Sequence, residues 1–277
     1  QWGSFTERGP WELDPQSIRW LGSTQALRSQ ANAEVPVLTT PRRLPPGGRV
    51  ITVTINIVKA LAPWFIKKKR NKYVDRSASQ ADVSLRLRKA VETLGPTYIK
   101  LGQIISSGEG LFPPELVEQF KKCRDQVPAE PFSTVRQTVE QDLGARLEDV
   151  FEWFDERELA AASIAQVHAA RLLTGENVVV KVQRPRVASL VRKDLTVMAW
   201  IAPYLVGRIP ISALANPPAL VELFAETIVE ELDFRMEAAN MVDVSRMLHR
   251  LNQTGYIVPR PHPSLVSRRI LVMERLY

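Results

Sequence analysis

The sequence predicts an α+β fold, and three observations predict it. The stretch from Ser77 to Pro128 is helical in pattern and punctuated by Gly-Pro and Pro-Pro pairs. Residues from about 151 to 185 break into β-forming runs around turn residues. Helical segments then separate these runs from a closing β-rich decapeptide, "RRILVMERLY". With 277 residues, 45% of them hydrophobic and 24% charged, the chain can bury one large core or two modest ones.

Residues 1–76 read as an irregular lead-in containing one basic amphipathic segment. Up to about residue 48 the chain is rich in Pro, Gly, Ser and Gln and shows little periodicity. No basic, apolar and small-residue cleavage pattern opens it, so a secretory signal is not expected. Residues 50–66, "VITVTINIVKALAPWFI", are mostly apolar. On a helix, Thr52, Asn56, Lys59, Pro63 and Lys67 form one polar stripe, with Ile51, Ile55, Val58, Leu61 and Phe65 largely opposite. Lys59 and Pro63 interrupt the run, so the roughly 20 apolar residues of a spanning helix are not expected. The alternation of "ITVTINI" equally fits a strand followed by a short helix. On either reading, Trp64 and Phe65 beside Lys67, Lys68, Lys69 and Arg70 suit an anionic membrane surface.

Residues 77–150 are expected to be helical, with Ser77 or Ser79 as first cap and Gly95-Pro96 and Pro113-Pro114 dividing three helices. "PFSTVRQTVEQDLG" is one more, capped by Ser133 and ended by Gly144. Over 151–277, Thr174 to Asn177 form the turn of a hairpin whose second arm is "VVVKVQRP". Alternation puts Val178, Val180 and Val182 on one face and Val179, Lys181 and Gln183 on the other. Lys181 is then either an edge lysine with its stem on apolar surface or a charge recruited for chemistry. Leu195 to Val206 is too short to span a bilayer and reads as a buried helix. In "VEELDFRMEAAN", Asp233, Glu237 and Asn240 fall at i, i+4 and i+7 on one polar face, which is either solvated or aimed at Lys181.

Strand, Ala-rich turn, strand, tight turn, lysine strand, acidic helices and final strand is the order of a protein-kinase small lobe. There a strand lysine meets nucleotide phosphates and a helix glutamate holds it, which makes Glu237 the candidate partner of Lys181. Four segments, "KLGQ" (Lys100 to Gln103), "LAAASIAQVH", "VVVKVQRP" and "EELDFRMEAAN", resemble in order the N-terminal motifs of the UbiB/ABC1 (AarF/ADCK-type) family of atypical protein-kinase-like proteins. The resemblance covers about residues 80–277 and leaves the lead-in outside it. It implies a kinase-like small lobe over 151–277, up to the hinge, with inserted helices over 77–150. On that resemblance, the large lobe is expected to lie outside the 277 residues.

The resemblance also implies roles. Ala160, Ala161, Ala162 and Ser163 match an alanine-rich loop standing where ordinary kinases carry glycines, and alanine restricts how the backbone approaches phosphate. Lys181 would contact the phosphates of ATP and Glu237 would orient it. Lys100 and Gln103 match the KxGQ signature, and Glu231 and Asp233 match ExD; in the family the two approach each other and exclude a protein substrate. Met273, Glu274, Arg275 and Leu276 match the strand end and hinge, with Glu274 and Leu276 at the adenine edge. The Asp and Asn that hold Mg2+ in such folds would belong to the large lobe, so no metal ligands, and no catalysis by the segment alone, are expected within these residues. The implied function is a membrane-associated ATPase or small-molecule kinase supporting isoprenoid quinone biosynthesis or lipid homeostasis. Quinone-biosynthesis proteins or lipid intermediates would be its partners; the alternative is a non-catalytic nucleotide- or membrane-binding regulatory module.

Charge and cysteine usage fit that picture. Formal net charge +7 and pI near 9.7 call for an anionic partner. Zinc-finger spacing, aromatic-interleaved basic strands and a recognition helix are all missing, which argues against nucleic acid. One cysteine, Cys123, fits a reducing compartment, and His168, His249 and His262 lack ligand spacing for zinc. A cytoplasmic location, peripheral on the inner face of a membrane, is expected.

Overall fold

The computed structural model describes residues 18, 20–123, 128–206, 216–253 and 255–276. In chain order the elements are α1 (Thr24–Thr39), α2 (Arg49–Lys69), α3 (Arg76–Leu94), α4 (Pro96–Ser106), α5 (Pro114–Phe120) and α6 (Phe132–Leu143). Then come β1 (Phe151–Ala161), β2 (Ala165–Leu172), β3 (Asn177–Gln183), α7 (Val187–Leu205), α8 (Pro217–Glu231), α9 (Phe234–Arg250), β4 (Pro261–Val266) and β5 (Ile270–Glu274). They form two compact units: one of Gln1–Ala33, Pro128–Val187 and Thr227–Tyr277, the other of Glu34–Val127 and Ala188–Glu226.

The first unit is built on a five-stranded antiparallel sheet of order β1-β2-β3-β5-β4. Strand alternation decides its two faces. Val178, Val180 and Val182 pack with Val135 and Val139 of α6 and with Leu265, Ile270 and Val272. On the other face Ala165 and Leu271 pack with Phe234, Ala238, Ala239 and Val242 of α9, and with Ile18 and Trp20. Lys181, paired in register with Val167 and Leu271, belongs to this α9 face. The tight turn before β3 uses Gly175 at φ 98°, a left-handed conformation that disfavours any side chain with a Cβ. Strand β4 was not legible in "PHPSLV", because Pro261 and Pro263 demote a strand pattern; both are tolerated because β4 is an edge.

In the second unit Ile99, Phe112, Leu116, Val117, Phe120 and Cys123 form the core shared by α4, α5 and their flanks. Gly102 shows why the third residue of "KLGQ" is glycine. A Cβ there would lie 2.6 Å from Phe120 Cδ1, too close for the ring to stay. Asp194 of α7, fully buried, takes the Arg49 guanidinium at 2.6 Å, and Arg49 also donates to the Leu94 carbonyl at 2.7 Å. The start of α2 is thereby fixed.

Several expectations are corrected. The lead-in is not irregular over its described part. Ala31, Val35 and Leu38 are buried at i, i+4 and i+7 along α1, a helical spacing that Pro36 obscured. Residues 50–66 lie in one unbroken helix, so of the two alternatives for "ITVTINI" the strand is overturned. Asp75, not Ser77 or Ser79, caps α3, its carboxylate accepting from the Ala78 N–H at 2.7 Å. Pro131 rather than Ser133 precedes α6, while Gly144 ends it at φ 66° as expected. The helix read through Asp233 is broken there, between α8 and α9. The expectations for residues 1–17 lie outside the described residues.

Candidate functional site

The site of the first unit is assembled where β3 faces α9. Lys181 Nζ lies 2.7 Å from both Oε1 and Oε2 of Glu237, and 4.9 Å from the centroid of the Phe234 ring. The pair is neither sealed nor fully wet, with side chains 27% and 36% exposed. A lysine ammonium has three donors. Two meet Glu237, and among the described residues the third has no partner. Glu237 stands in the first turn of α9, where the helix dipole favours a carboxylate. The ion pair and the adjacent ring make the charge tolerable on an otherwise apolar sheet face.

The break at Asp233 is what lets Glu237 stand in a first turn. Asp233 caps α9, accepting from the Arg235 N–H at 3.1 Å and pairing with the Arg235 guanidinium at 2.6 Å. Asp233 therefore does not share a helical face with Glu237. Asn240, the third acid-face residue, accepts from Arg28 at 2.6 Å and is also not at Lys181. Glu231 is the last residue of α8. Lys100 and Gln103 lie on α4, in the second unit.

The alanine-rich stretch is only partly a loop. Ala160 and Ala161 complete β1, paired with Val167 and Gln166, and Ala162 and Ser163 begin the turn into β2. Alanine permits this because its Cβ suits the extended strand, whereas glycine would favour an open loop. The turn closes through the Ala162 N–H donating to the Ala165 carbonyl at 2.8 Å.

Sequence reasoning missed what holds that turn. Arg184, 8% exposed, donates to the Ala162 carbonyl at 3.0 Å, to the Pro128 carbonyl at 2.9 Å and to the Glu130 carboxylate at 3.1 Å. Its own N–H donates to the Ile164 carbonyl. Gln166 accepts from the Glu130 N–H at 2.7 Å through Oε1, so its amide nitrogen faces His168 Nε2 at 2.8 Å. His168 Nδ1 lies 2.8 Å from the Asp155 carbonyl, which can only accept, so Nδ1 carries the proton and Nε2 accepts from Gln166. Burial holds this imidazole below its usual pKa. Gln183 donates to the Leu232 carbonyl at 3.0 Å, tying β3 to the segment before α9. The available signal for Arg184 was a cation ending a valine strand, immediately before a proline that keeps it extended.

At the strand end, Val179 faces Met273 and Val178 faces Glu274. The Glu274 carboxylate receives Arg260 at 2.8 and 3.0 Å, which lowers its pKa, and its N–H is committed to the Arg260 carbonyl. The Arg275 N–H donates to Asn177, and Leu276 follows, half-exposed. Among the described residues no group of three or more His, Cys, Asp or Glu is arranged to hold a metal ion.

The α2 surface of the second unit differs from its expectation. Ile51, Ile55, Val58, Phe65 and Ile66 are all exposed, Ile51 at 63%, followed by exposed Lys67, Lys68, Lys69 and Arg70. Trp64, expected beside Phe65 at a membrane, turns instead toward α3: its indole N–H donates to Ser79 at 3.1 Å. It lies on the stripe of Val53, Ile57, Ala60 and Leu61 that is withdrawn from solvent. The 21 residues of α2 are long and apolar enough, by length and composition alone, to cross a membrane, and little of the helix is buried.

An antiparallel sheet with a strand lysine held by a helix glutamate defines a kinase-like domain. The model of the ABC1 atypical kinase-like domain matches residues 122–277, and this chain belongs to that family. It is 41% identical over 200 residues to an uncharacterised aarF domain-containing protein kinase, chloroplastic, of Arabidopsis thaliana, covering 70% of this chain and 36% of that one. Proteins called probable protein kinase UbiB are similar: 34% identity in Aeromonas salmonicida (86% of this chain, 45% of the relative) and 36% in Pseudomonas putida (78% and 41%). The chain thus spans less than half the length of these relatives. A Mycobacterium tuberculosis protein solved in complex with erythromycin matches with 27% identity and a TM-score of 0.45, over 64% of this chain and 44% of that one.

Proposed function

We infer that the first unit is the small lobe of an ATP-using kinase-like protein and binds the nucleotide at the face carrying Lys181. One observation carries this reading: Lys181 is fixed by two contacts of 2.7 Å to Glu237 and keeps one donor for a phosphate oxygen. In it Glu237 orients Lys181, the turn at Ala160, Ala161, Ala162 and Ser163 covers the phosphates, and Glu274 and Leu276 offer backbone groups to adenine. On this reading Mg2+ and the phosphoryl-transfer groups would be supplied by a large lobe outside these 277 residues. Lys100, Gln103, Glu231 and Asp233 take the part of the family's signatures in restricting the substrate. The whole protein would act as an ATPase or small-molecule kinase in isoprenoid quinone biosynthesis or lipid homeostasis, working with quinone-biosynthesis proteins or lipid intermediates.

It would work at the inner, cytoplasmic face of an anionic membrane. The exposed apolar stripe of α2, ending in Lys67, Lys68, Lys69 and Arg70, supports this. Because the other stripe packs on α3, the helix lies along the surface rather than crossing it.

Isothermal titration of ATP tests the nucleotide reading. Lys181→Met is expected to weaken binding roughly 10- to 100-fold, the worth of a charge-assisted hydrogen bond, and Glu237→Gln to weaken it less. Unaltered affinity in Lys181→Met would remove the reading. A regulatory module rather than an enzyme would follow if the full-length protein binds ATP through Lys181 without turning it over.

A further inference from the structure

A basic cavity lies in the helical unit, away from every residue assigned above. A cavity of about 740 Å³ is lined by Leu38 at the end of α1, by Arg42, Arg43, Leu44, Pro45, Pro46 and Gly47 of the following loop, and by Arg192, Lys193 and Thr196 of α7. Four cations thus border one basin. Arg192 is held by Glu34 at 2.5 Å and forms a fixed wall. Arg42, Arg43 and Lys193 have no carboxylate partner among the described residues. Asp194, the neighbour of Lys193, does not neutralise them, because it is buried and committed to Arg49. Like charges gathered around a concave surface raise the local concentration of an anion.

The shape of the loop narrows the class of anion. Pro45 and Pro46 stiffen it, so presenting two adjacent guanidinium groups costs little ordering entropy. Planar guanidinium forks match phosphate oxygens in pairs, and three unpaired cations suit a group carrying two negative charges better than one carrying a single charge. Leu44, 78% exposed, stands beside the cations as an apolar tip. A ligand with a phosphate next to hydrocarbon would satisfy both. We propose that this basin is a recognition site for a terminal phosphate, a phosphomonoester carried either on a lipid headgroup or on a soluble molecule. The site stands on its own lining residues; the lipid source alone rests on the membrane reading of α2.

The experiment compares wild type, Arg42→Ala/Arg43→Ala/Lys193→Ala, and Lys67→Ala/Lys68→Ala/Lys69→Ala/Arg70→Ala. Each is first checked by circular dichroism and melting temperature, and Lys193→Glu serves as a single-site reversal of charge. Each is co-sedimented with phosphatidylcholine vesicles doped with phosphatidate or, at matched surface charge, phosphatidylserine, and separately titrated with inorganic pyrophosphate in solution. Wild type is expected to favour phosphatidate by roughly tenfold, one charge-assisted contact's worth. The basin variant should lose that preference while keeping its phosphatidylserine binding; the Lys67–Arg70 variant should weaken on both and keep the ratio. A preference for phosphatidate without a pyrophosphate response supports a lipid headgroup. A pyrophosphate response that the basin variant abolishes supports a soluble phosphate, and does so even if no vesicle binds and the membrane reading fails. If the basin variant and Lys193→Glu leave both readouts at wild-type values, or wild type shows neither, the proposal is overturned.

Discussion

The two units differ in what they do with part of their positive charge. Around the sheet of the first, cations are spoken for: Lys181 by Glu237, Arg184 by Glu130 and carbonyls, Arg235 by Asp233, Arg260 by Glu274 and Arg269 by Asp142. The second has ion pairs as well, among them Arg49 with Asp194, Arg86 with Asp82 and Arg192 with Glu34, but Arg42, Arg43 and Lys193, which have no carboxylate partner among the described residues, line one basin beside exposed Leu44. Paired charge in a half-buried face fixes geometry, as a site for one small ligand requires. Unpaired charge beside exposed hydrocarbon attracts a surface, because desolvation has not been spent on internal partners. The basic block from Lys67 to Lys72, the densest in the sequence, belongs to the same helical unit.

If this contrast is real, the pair of Arg49 with Asp194 in the helical unit should behave like those of the sheet. Asp194→Ala leaves the Arg49 guanidinium, 20% exposed, without its carboxylate. The expected loss is about 3 kcal/mol in urea denaturation, the lower end for removing one partner of a buried pair. A loss under about 1 kcal/mol would mean that the pair is merely superficial. Next in size is Arg184→Ala in the sheet unit. It abandons two carbonyls and the Glu130 carboxylate, at about 2 kcal/mol given that Glu130 remains partly hydrated. If the turn covers nucleotide as proposed, the substitution should also weaken ATP binding by loosening it, whereas Arg184→Lys should recover stability more than affinity, since an ammonium cannot span the same three acceptors. Equal effects on stability and affinity from both substitutions would reduce Arg184 to a structural residue.

How much of this was legible follows the same divide. Alternation around Lys181 is a local, period-governed signal, whereas its partner Glu237, far off in sequence, is legible only through the resemblance to a kinase small lobe; the two side chains do meet at 2.7 Å. The helix break at Asp233 was missed because its carboxylate could equally serve an i+4 partner or a cap; only the folded backbone chose. Strand β4 and helix α1 were missed because prolines at an edge strand and inside a helix defeat propensity reasoning while tertiary packing tolerates them. The exposed side of α2 was unreadable for another reason. Periodicity identifies two stripes, but which of them packs on α3 depends on a neighbour, and Trp64 went with the packed one.

The α2 surface gives a smaller effect on folding that still separates the units. Ile55→Glu and Phe65→Glu, at exposed positions, should change stability by within about 0.5 kcal/mol, yet each should reduce co-sedimentation with anionic vesicles several-fold. The same change at Val180, fully buried under α6, should abolish folding. If Ile55→Glu is itself strongly destabilising, α2 is covered by protein in its functional state and the contrast between units weakens.

The smallest effect belongs to His168. Burial depresses its folded-state pKa below the unfolded 6.5, so between those two values the unfolded chain binds more protons than the folded one. Stability then falls with decreasing pH, beginning near 6.5 and finishing once pH passes below the folded pKa. The hydrogen bonds explain the direction independently: a proton on Nε2 would confront the Gln166 amide N–H group that donates to it, and the Gln166 orientation is fixed by the Glu130 N–H. Since Glu130 also receives Arg184, protonation of a buried histidine would loosen the support of the alanine-rich turn. Urea denaturation from pH 8 to 5 should thus show a decline that is reduced in His168→Gln, whose amide cannot titrate. A decline of the same slope in both proteins would assign it to the carboxylates of the surrounding ion pairs, and the paired charges of the sheet unit would then titrate no differently from the exposed ones of the helical unit.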